Sequence, residues 1–474
     1  MSKFNENKSK NMTKNYEYGN SYKKNPLENW MNNIFSNKLD DKFYESSTVQ
    51  MENFIKLTEE VLNEYGPIFV AKCAMFSRNE LGLRSISHLV AAMLNGQSFE
   101  RKRDFYKAFC HRPDDMSEIF AAVDMLGGKR SHAMIRGFAD YMSGLSEYNI
   151  MKYQMKGKRY NMYDLINIIH PKSEIVDDYM NGKLEAADTW EVNISTGKDS
   201  WKNMVEGNRL GYLALIRNLN NILAEDVDDA WIKRNLVDRL INEVSIKKSL
   251  VFPYQIYTAY RNLNVQNFAV ITALDTAFRI ACGNMPKLEG NSVIMLDVSG
   301  SMEDRYGDKS NLTIKEVGAC YAAALYINGN CDFVKFGNDA KSLTFKKACG
   351  PFQVIREMCE NDNCGYGTNI APAFGLISDK KYDRIFVVSD MQVMKRVSWW
   401  GSDNCMSSYN TYCANNGRTI LYSFDLGNYS NQIANPNNPD VHLMTALNDN
   451  VFKMLEYVEN GGKLYDYIND NYHF

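Results

Sequence analysis

The chain has 474 residues, of which 45% are hydrophobic and 12% aromatic, and its formal net charge is −3. That length suggests two to four domains, and the near-neutral balance excludes a generic nucleic-acid binder that works by bulk positive charge. No run of about eighteen uncharged apolar residues occurs, so no membrane span is expected, and the polar N-terminus lacks the apolar segment of a signal peptide. Ten cysteines are scattered without C-x-x-C pairs. They read as reduced thiols in a cytoplasmic protein, not as a disulfide framework or a zinc site.

Residues 1–27 are rich in Asn, Lys, Ser and Tyr and poor in aliphatics, and are expected to form a disordered polar arm. From about residue 50 to 285 the chain reads as successive amphipathic helices. Ile55, Leu57, Val61 and Leu62 make one apolar face, residues 68–76 form another helix and residues 85–94 a third. Breaks are expected at Gly66–Pro67, Arg112–Pro113, Gly127–Gly128, His170–Pro171 and Phe252–Pro253. Many short helices with few strand signals suggest stacked helical pairs, which bury a core only through their neighbours and offer concave surfaces. No clean fixed-period repeat is visible.

One part of this helical region is electrically distinct. Residues 1–285 carry 37 basic and 35 acidic side chains, and residues 286–474 carry 17 and 22. Within 129–160, however, Lys129, Arg130, Arg136, Lys152, Lys156, Lys158 and Arg159 face only Asp140 and Glu147. Lys129, Arg130 and His132 lie near an expected helix start, with Arg136 in the next turns. Lys152 and Lys156 share a face if their helix continues that far, and Gly157 then opens a loop carrying Lys158 and Arg159. Tyr153 and Tyr160 lie among them. Cations neutralise phosphates and tyrosine rings stack unpaired bases; the same pattern also describes a solvated basic face over core tyrosines. Arg78 and Arg84, six apart, fall on different helix faces if their segment is helical, so both need not face a ligand, and either is a candidate to pair with Glu80 or cap a neighbouring helix. Trp190 and Trp201 read as core anchors. Arg217, Asn218 and Asn220, set in an apolar helix, either satisfy inter-helix hydrogen bonds or line a cavity.

Residues 283–290 form a plausible linker. Then comes NSVIMLDVSGSM, where residues 292–298 make a short apolar run suited to a strand buried on both faces of a parallel sheet. It ends in Asp297, Ser299 and Ser301, a D-x-S-x-S pattern at the C-terminal end of the strand, where open α/β sheets place ligand sites. Oxygen-only donors suit a hard cation such as Mg²⁺. Residues 314–327 and 369–377 read as helices, and residues 331–336, 384–389 and 418–424 as strands. The alternation supports a doubly wound sheet. Residues 395–416 read as a polar insertion bordering the metal site, and residues 450–459 as a closing helix.

The order D-x-S-x-S, then Thr368 in GYGTNIAPAF, then Asp390 closing RIFVVSD resembles a von Willebrand factor A domain with its metal-ion-dependent adhesion site. The resemblance implies that Ser299, Ser301 and Thr368 ligate a divalent metal directly, that Asp297 and Asp390 act mainly through bound water, and that an open position accepts a partner's carboxylate. Upstream, IFVAKCAMFSRNELGLRSISHLVAAML, HRPDDMSEIF, KYQMKGKRYNMYDLINIIHPK, TWEVNISTGKDSWKNMV, YLALIRNLNNI and VFPYQIYTAYR resemble the TROVE module, and most closely the Ro ribonucleoproteins. This implies an all-α HEAT-like helical-repeat ring over residues 28–285, followed by the A-like domain over 286–474. It further implies a monomeric ring that binds small structured non-coding (Y-like) RNA outside and single-stranded ends of misfolded RNA in its hole, for RNA quality control. Bacterial relatives can work with an exoribonuclease. His170 joins the expected RNA-contacting set on this resemblance, beside Lys129, Arg130, Arg136, Lys152, Lys156, Lys158 and Arg159.

Two other function classes compete. A metal-dependent phosphoesterase would need a metal-activated water and often a second metal or general base. No H-E-x-x-H, Walker-A loop or G-x-S-x-G elbow is present. An adhesion-type protein-binding module fits the A-like domain alone but leaves the TROVE-like segments without a role. The expectation is therefore a non-catalytic RNA-binding scaffold.

Overall fold

The computed structural model describes residues 12–14, 20–23, 26–36, 47–285, 287–307, 310–346, 348–392, 405–427, 431–435, 438–445, 455 and 464–474. Two compact units emerge: a helical unit of residues 30–39, 51–200 and 454–474, and a sheet unit of residues 1–29, 40–50 and 201–453. The division does not follow the boundary expected at 285–286. No described helix is long and apolar enough to cross a membrane.

In the helical unit, the helix Ser47–Asn79 bends at Gly66, whose φ of 79° and ψ of 163° are non-helical. Glycine adopts that conformation without a Cβ penalty, and Pro67 after it carries no N–H to continue the ladder. The next helix, Ser85–Leu94, is buried on nearly every side. The helix Pro113–Met125 begins on its proline, and Asp115 accepts the N–H groups of His111 and Arg112 at 3.0 Å each. The same buried carboxylate receives Arg78 Nη2 at 2.9 Å and lies 2.9 Å from His88 Nε2. Arg84 Nη2 donates to the adjacent Asp114 at 2.7 Å. The continuous helix on which the separation of Arg78 from Arg84 depended does not form. The helix stops at Asn79, the chain turns, and both guanidiniums converge on one Asp–Asp pair contributed by HRPDDM.

Further along, the helices Lys102–Phe109 and His132–Met142 pack so closely that a Cβ on Gly137 would lie 2.5 Å from the Arg103 carbonyl oxygen. The C-terminal helix Leu464–Asn471 also belongs to this unit. Tyr467 and Tyr472 meet the Phe76 ring edge-on at 6.4 and 5.6 Å, and Phe474 meets Phe105 at 5.5 Å. Aromatic burial near the chain end therefore binds the last residues to the helical unit.

The sheet unit holds two sheets. Residues expected to be a disordered arm instead supply β1 (Met12–Lys14) and β2 (Asn20–Lys23), an antiparallel pair that β8 (Asn431–Gln432) extends. Polar side chains do not prevent pairing, because the ladder is made by backbone groups. The main sheet has the order β5-β4-β3-β6-β7-β9. Its parallel strands are β3 (Ser292–Asp297), β4 (Cys331–Phe336), β6 (Arg384–Ser389), β7 (Ile420–Asp425) and β9 (Val441–Thr445), and β5 (Ala340–Leu343) runs antiparallel on one edge. β3 and β6 are buried along their whole length, as two-faced coverage by helices requires. The helix Ile314–Asn328, capped by Thr313 and Glu316, lies so close to the sheet that a Cβ on Gly318 would approach Leu426, Leu296 and Val388 within 3.1 Å. A helical region followed by this mixed sheet fits a von Willebrand factor A-like fold.

The helices Pro253–Arg261 and Phe268–Cys282 belong to the sheet unit as well. Phe352 packs on Tyr257, Tyr260 and Phe278, Asp275 accepts the Phe352 N–H at 2.7 Å, and Arg261 pairs with Glu316 at 2.7 Å. The expected linker at 283–290 lies inside this unit: Met285 is buried and Asn284 donates to the Val251 carbonyl at 2.9 Å. Of the expected insertion 395–416, residues 405–416 form the helix Cys405–Asn416, whose Tyr409 and Tyr412 join the core. The rest of that insertion, and the expected closing helix except for residue 455, lie outside the described residues.

Asp115 is the polar centre of the helical unit. Burial alone would raise its carboxyl, but the His88 hydrogen bond and the Arg78 charge hold it well below the usual carboxylate range. A group whose pKa is depressed by folding contributes stability that is present above about pH 4 and is lost as pH falls further. Asp115→Ala is expected to destabilise the protein by about 3–5 kcal/mol and to flatten the acid limb of its stability profile, measured by denaturant unfolding across pH.

Candidate metal centre and basic face

The residues of the expected metal centre converge. β3 delivers Asp297 fully buried at its C-terminal end. Asp297 Oδ1 accepts the Ser299 N–H at 2.9 Å, and Oδ2 accepts the Ser389 hydroxyl at 2.6 Å. Ser299 and Ser301 bring their hydroxyls within 3.5 Å of each other at the start of the 3₁₀ turn Gly300–Glu303. Asp390, buried just past β6, is hydrogen-bonded by Ser301 and accepts the Gln392 N–H at 3.1 Å. Thr368 is buried in the glycine-rich loop. That loop is held against the centre because Gly300 N–H donates to the Tyr366 carbonyl at 2.9 Å, and Asn369 N–H donates to the Gly337 carbonyl at 2.7 Å. Gly337 is required there: a Cβ would lie 2.3 Å from the Gly365 carbonyl oxygen.

Burial pushes Asp297 up, partly opposed by the Ser389 and Ser299 hydrogen bonds. Burial, together with the Asp297 charge, pushes Asp390 up to about 7. Among the described residues neither carboxylate has an ion-pair partner. Two desolvated carboxylates beside hydroxyl oxygens, with no protein cation, fit a hard divalent ion, whose charge would offset the desolvation. No group of three or more His, Cys, Asp or Glu among the described residues is placed to hold a metal, so any such site rests on the hydroxyls. Ser389 and Asp425 were missed by sequence reasoning. Asp425 ends β7, pairs in register with Ser389, and adds its charge to the rise at Asp390. The signal was present, since RIFVVSD and ILYSFD both close a strand with an acid, as VIMLD does.

The raised carboxyls fix the sign of a pH effect. Stability from a group whose pKa is raised by folding is present below about 3.9 and is lost as pH climbs through the folded value. In chelator, the thermal midpoint is expected to fall as pH is raised from about 4 to about 7. Asp390→Asn should flatten that fall; an unchanged slope in the variant would assign the effect elsewhere.

The basic face lies in the helical unit. Ser131 caps the helix His132–Met142, as the expected start required. Lys129 and Arg136 are exposed and have no ion-pair partner among the described residues. The helix Glu147–Lys152 ends at Lys152, so Lys152 and Lys156 do not share a helix face; Lys156 is exposed in the following turn. Lys152 hydrogen-bonds the Tyr148 hydroxyl at 3.2 Å and lies over the Tyr148 and Tyr153 rings, and Arg112 stacks on Tyr153 at 4.7 Å. Lys158 pairs with Glu118 at 3.4 Å, and Arg130 and Arg159 both pair with Asp124, at 3.0 and 2.8 Å. His170 is exposed at the C-terminal cap of the helix Met162–Ile169 with a φ of 51°. The acids Glu118 and Asp124 were missed because they come from a helix more than thirty residues upstream of Arg159.

In the sheet unit, Arg217 and Asn220 line a cavity of about 340 Å³ with Tyr254 and Gln255. Asn220 also donates to the Asn262 carbonyl at 2.7 Å and accepts the Asn264 N–H at 2.9 Å. Both alternatives for this segment therefore hold. Asn218 bonds within its own helical stretch, donating to the Ala214 carbonyl at 2.8 Å and accepting from Asn221 at 3.1 Å. Trp190 and Trp201 are half-buried.

Comparison with known proteins agrees with this architecture. Residues 157–270 match the TROVE domain family. No curated protein matches the chain. The crystal structure of the Deinococcus radiodurans RO (RSR) protein is similar with a TM-score of 0.63 at 17% identity, over 92% of this chain and 100% of that one. The chain thus carries a match to the TROVE domain over residues 157–270 and has the fold of the Deinococcus radiodurans RO protein.

Proposed function

We propose that the protein is a non-catalytic RNA-binding scaffold of Ro type, which binds a small structured Y-like RNA and the single-stranded ends of misfolded RNA in RNA quality control. The observation that carries this reading is the surface of the helical unit around residues 129–160. There Lys129, Arg136 and Lys156 are exposed and unpaired among the described residues, beside cations seated on tyrosine rings. Unpaired cations release counterions when they meet phosphates, and neighbouring rings receive unstacked bases. The TROVE match begins at residue 157, so it takes in Lys158, Arg159 and Tyr160 at the end of this face but not Lys129, Arg136 or Lys156.

The serine–threonine–aspartate centre is read as a site for a divalent metal, Mg²⁺ by donor chemistry, with Ser299, Ser301 and Thr368 as direct donors and Asp297 and Asp390 supporting them. When bound, the ion would supply an open position for a carboxylate of a protein partner, an exoribonuclease being one candidate. A phosphoesterase reading has less support: beside the Ser299 hydroxyl the described residues offer serine and aspartate, but no histidine base.

Two measurements test these readings. A stem-loop RNA titrated into the full chain at several salt concentrations should bind with a steep salt dependence. Lys129, Arg136 and Lys156 replaced together by Ala should flatten the log–log slope by about 0.7–0.9 for each phosphate that is no longer neutralised; an unaltered slope removes this face from the RNA interface. Calorimetric titration of Mg²⁺ should give a binding signal that Asp297→Ala abolishes while RNA affinity is kept. Equal Mg²⁺ affinity in both proteins would end the metal assignment.

A further inference from the structure

The basic face has a carboxylate at its centre. Asp124 lies in the last turn of the helix Pro113–Met125, its side chain 18% exposed. One of its oxygens accepts Arg130 Nη2 at 3.0 Å. The other accepts Arg159 Nη2 at 2.8 Å and the Tyr160 hydroxyl, which Arg130 also reaches. Two guanidiniums and a phenol thus grip the two oxygens of one small anion. A phosphate diester presents the same target, two anionic oxygens on one centre, to the same donors.

The two arginines are not held alike. Arg130 is fixed: its guanidinium lies 4.7 Å from the Phe120 ring and 5.0 Å from the Tyr160 ring, and its side chain is 26% exposed. Arg159 lies over one ring only, Tyr160 at 5.9 Å, and is 65% exposed, on the turn that follows Gly157 with its φ of 76°. An exposed ion pair gains little over solvated ions, so Arg159 can exchange its carboxylate for another anion at small cost. Lys156, unpaired among the described residues, lies three residues before it.

We propose that Asp124 is an internal stand-in for an RNA phosphate: it keeps the Arg130–Arg159–Tyr160 cradle assembled in the free protein, and bound RNA takes Arg159 from it. Resting on the RNA-binding reading, this makes Asp124 a built-in competitor that lowers affinity for any polyanion and reserves Arg159 for a phosphate placed well enough to displace a carboxylate. Specificity then comes partly from repulsion directed against loosely fitting ligands.

The test is a double-mutant cycle on the full chain, with a fluorescent stem-loop RNA followed by anisotropy at several salt concentrations. Asp124→Asn keeps the shape of the side chain and removes its charge. It is expected to tighten binding roughly threefold to tenfold while leaving the log–log salt slope close to that of the wild type, because Arg159 meets its phosphate in both complexes. In an Arg159→Ala background the same change should alter affinity less than twofold, because the remaining partner, Arg130, is held on the Phe120 and Tyr160 rings and is not handed over to the RNA. Equal tightening in both backgrounds would mean a general charge effect and overturn the proposal, as would unchanged or weaker binding by Asp124→Asn. Arg159→Ala alone, which leaves Asp124 with Arg130 and Tyr160, should weaken binding; no weakening also overturns the proposal and does not depend on how Asp124→Asn folds. If the wild-type chain binds no RNA, the RNA reading itself fails and takes the proposal with it. Binding by the wild type without the Asp124 effect sinks the proposal alone.

Discussion

A carboxylate buried without a cation is the constraint around which the sheet unit is arranged. β3 carries Asp297 into the interior at the centre of a parallel sheet, where losing water costs an anion several kcal/mol. The surroundings answer with dipoles: the Ser299 N–H, the Ser389 hydroxyl and a serine turn braced against the Thr368 loop. Those groups lessen the penalty but do not cancel it, since both Asp297 and Asp390 remain pushed toward protonation. The loops at the C-terminal edge of the sheet are therefore organised around an incomplete charge balance, which a divalent ion would complete.

The helical unit solves the same problem in the opposite way. Asp115 is equally buried, yet Arg78, His88 and two backbone N–H groups hold it ionised. That carboxylate serves architecture: it joins three helices at the charged heart of a unit whose interior is otherwise mostly aromatic and aliphatic, with a few buried hydroxyls such as Thr58, Ser77 and Ser87. Burial and acidity are alike in the two places. A fixed protein cation holds Asp115 ionised, and among the described residues none does so at Asp297 or Asp390.

The basic face follows the same logic at the surface. Seven cations in thirty-two residues look uniform in the sequence. In the fold they divide into exposed cations without a carboxylate partner among the described residues, Lys152 resting on tyrosine rings, and cations already answered by Glu118 and Asp124. Only the unanswered ones bring their full charge to a polyanion. The attraction of this face for any polyanion would thus depend on pairing as much as on composition.

The sequence by itself determined what depends on neighbours along the chain. The alternation of apolar runs and breakers located β4 and β6 residue for residue, β3 to within one residue of its end, the kink at Gly66 and the starts at Pro113 and His132, because each follows from local backbone chemistry. The motif order carried Asp297, Ser299, Ser301, Thr368 and Asp390 to one centre because strands of a parallel sheet end on a common edge. Tertiary structure alone decided which charges cancel: Arg78 and Arg84 meet Asp115 and Asp114, and Asp124 claims Arg130 and Arg159, across sequence separations of six to thirty-seven residues. It also assigned helices before residue 285 to the sheet unit, residues 464–474 to the helical unit, and strands to the polar N-terminal segment. No local pattern encodes those choices, since they turn on which apolar faces and backbone edges find each other once the chain has closed on itself.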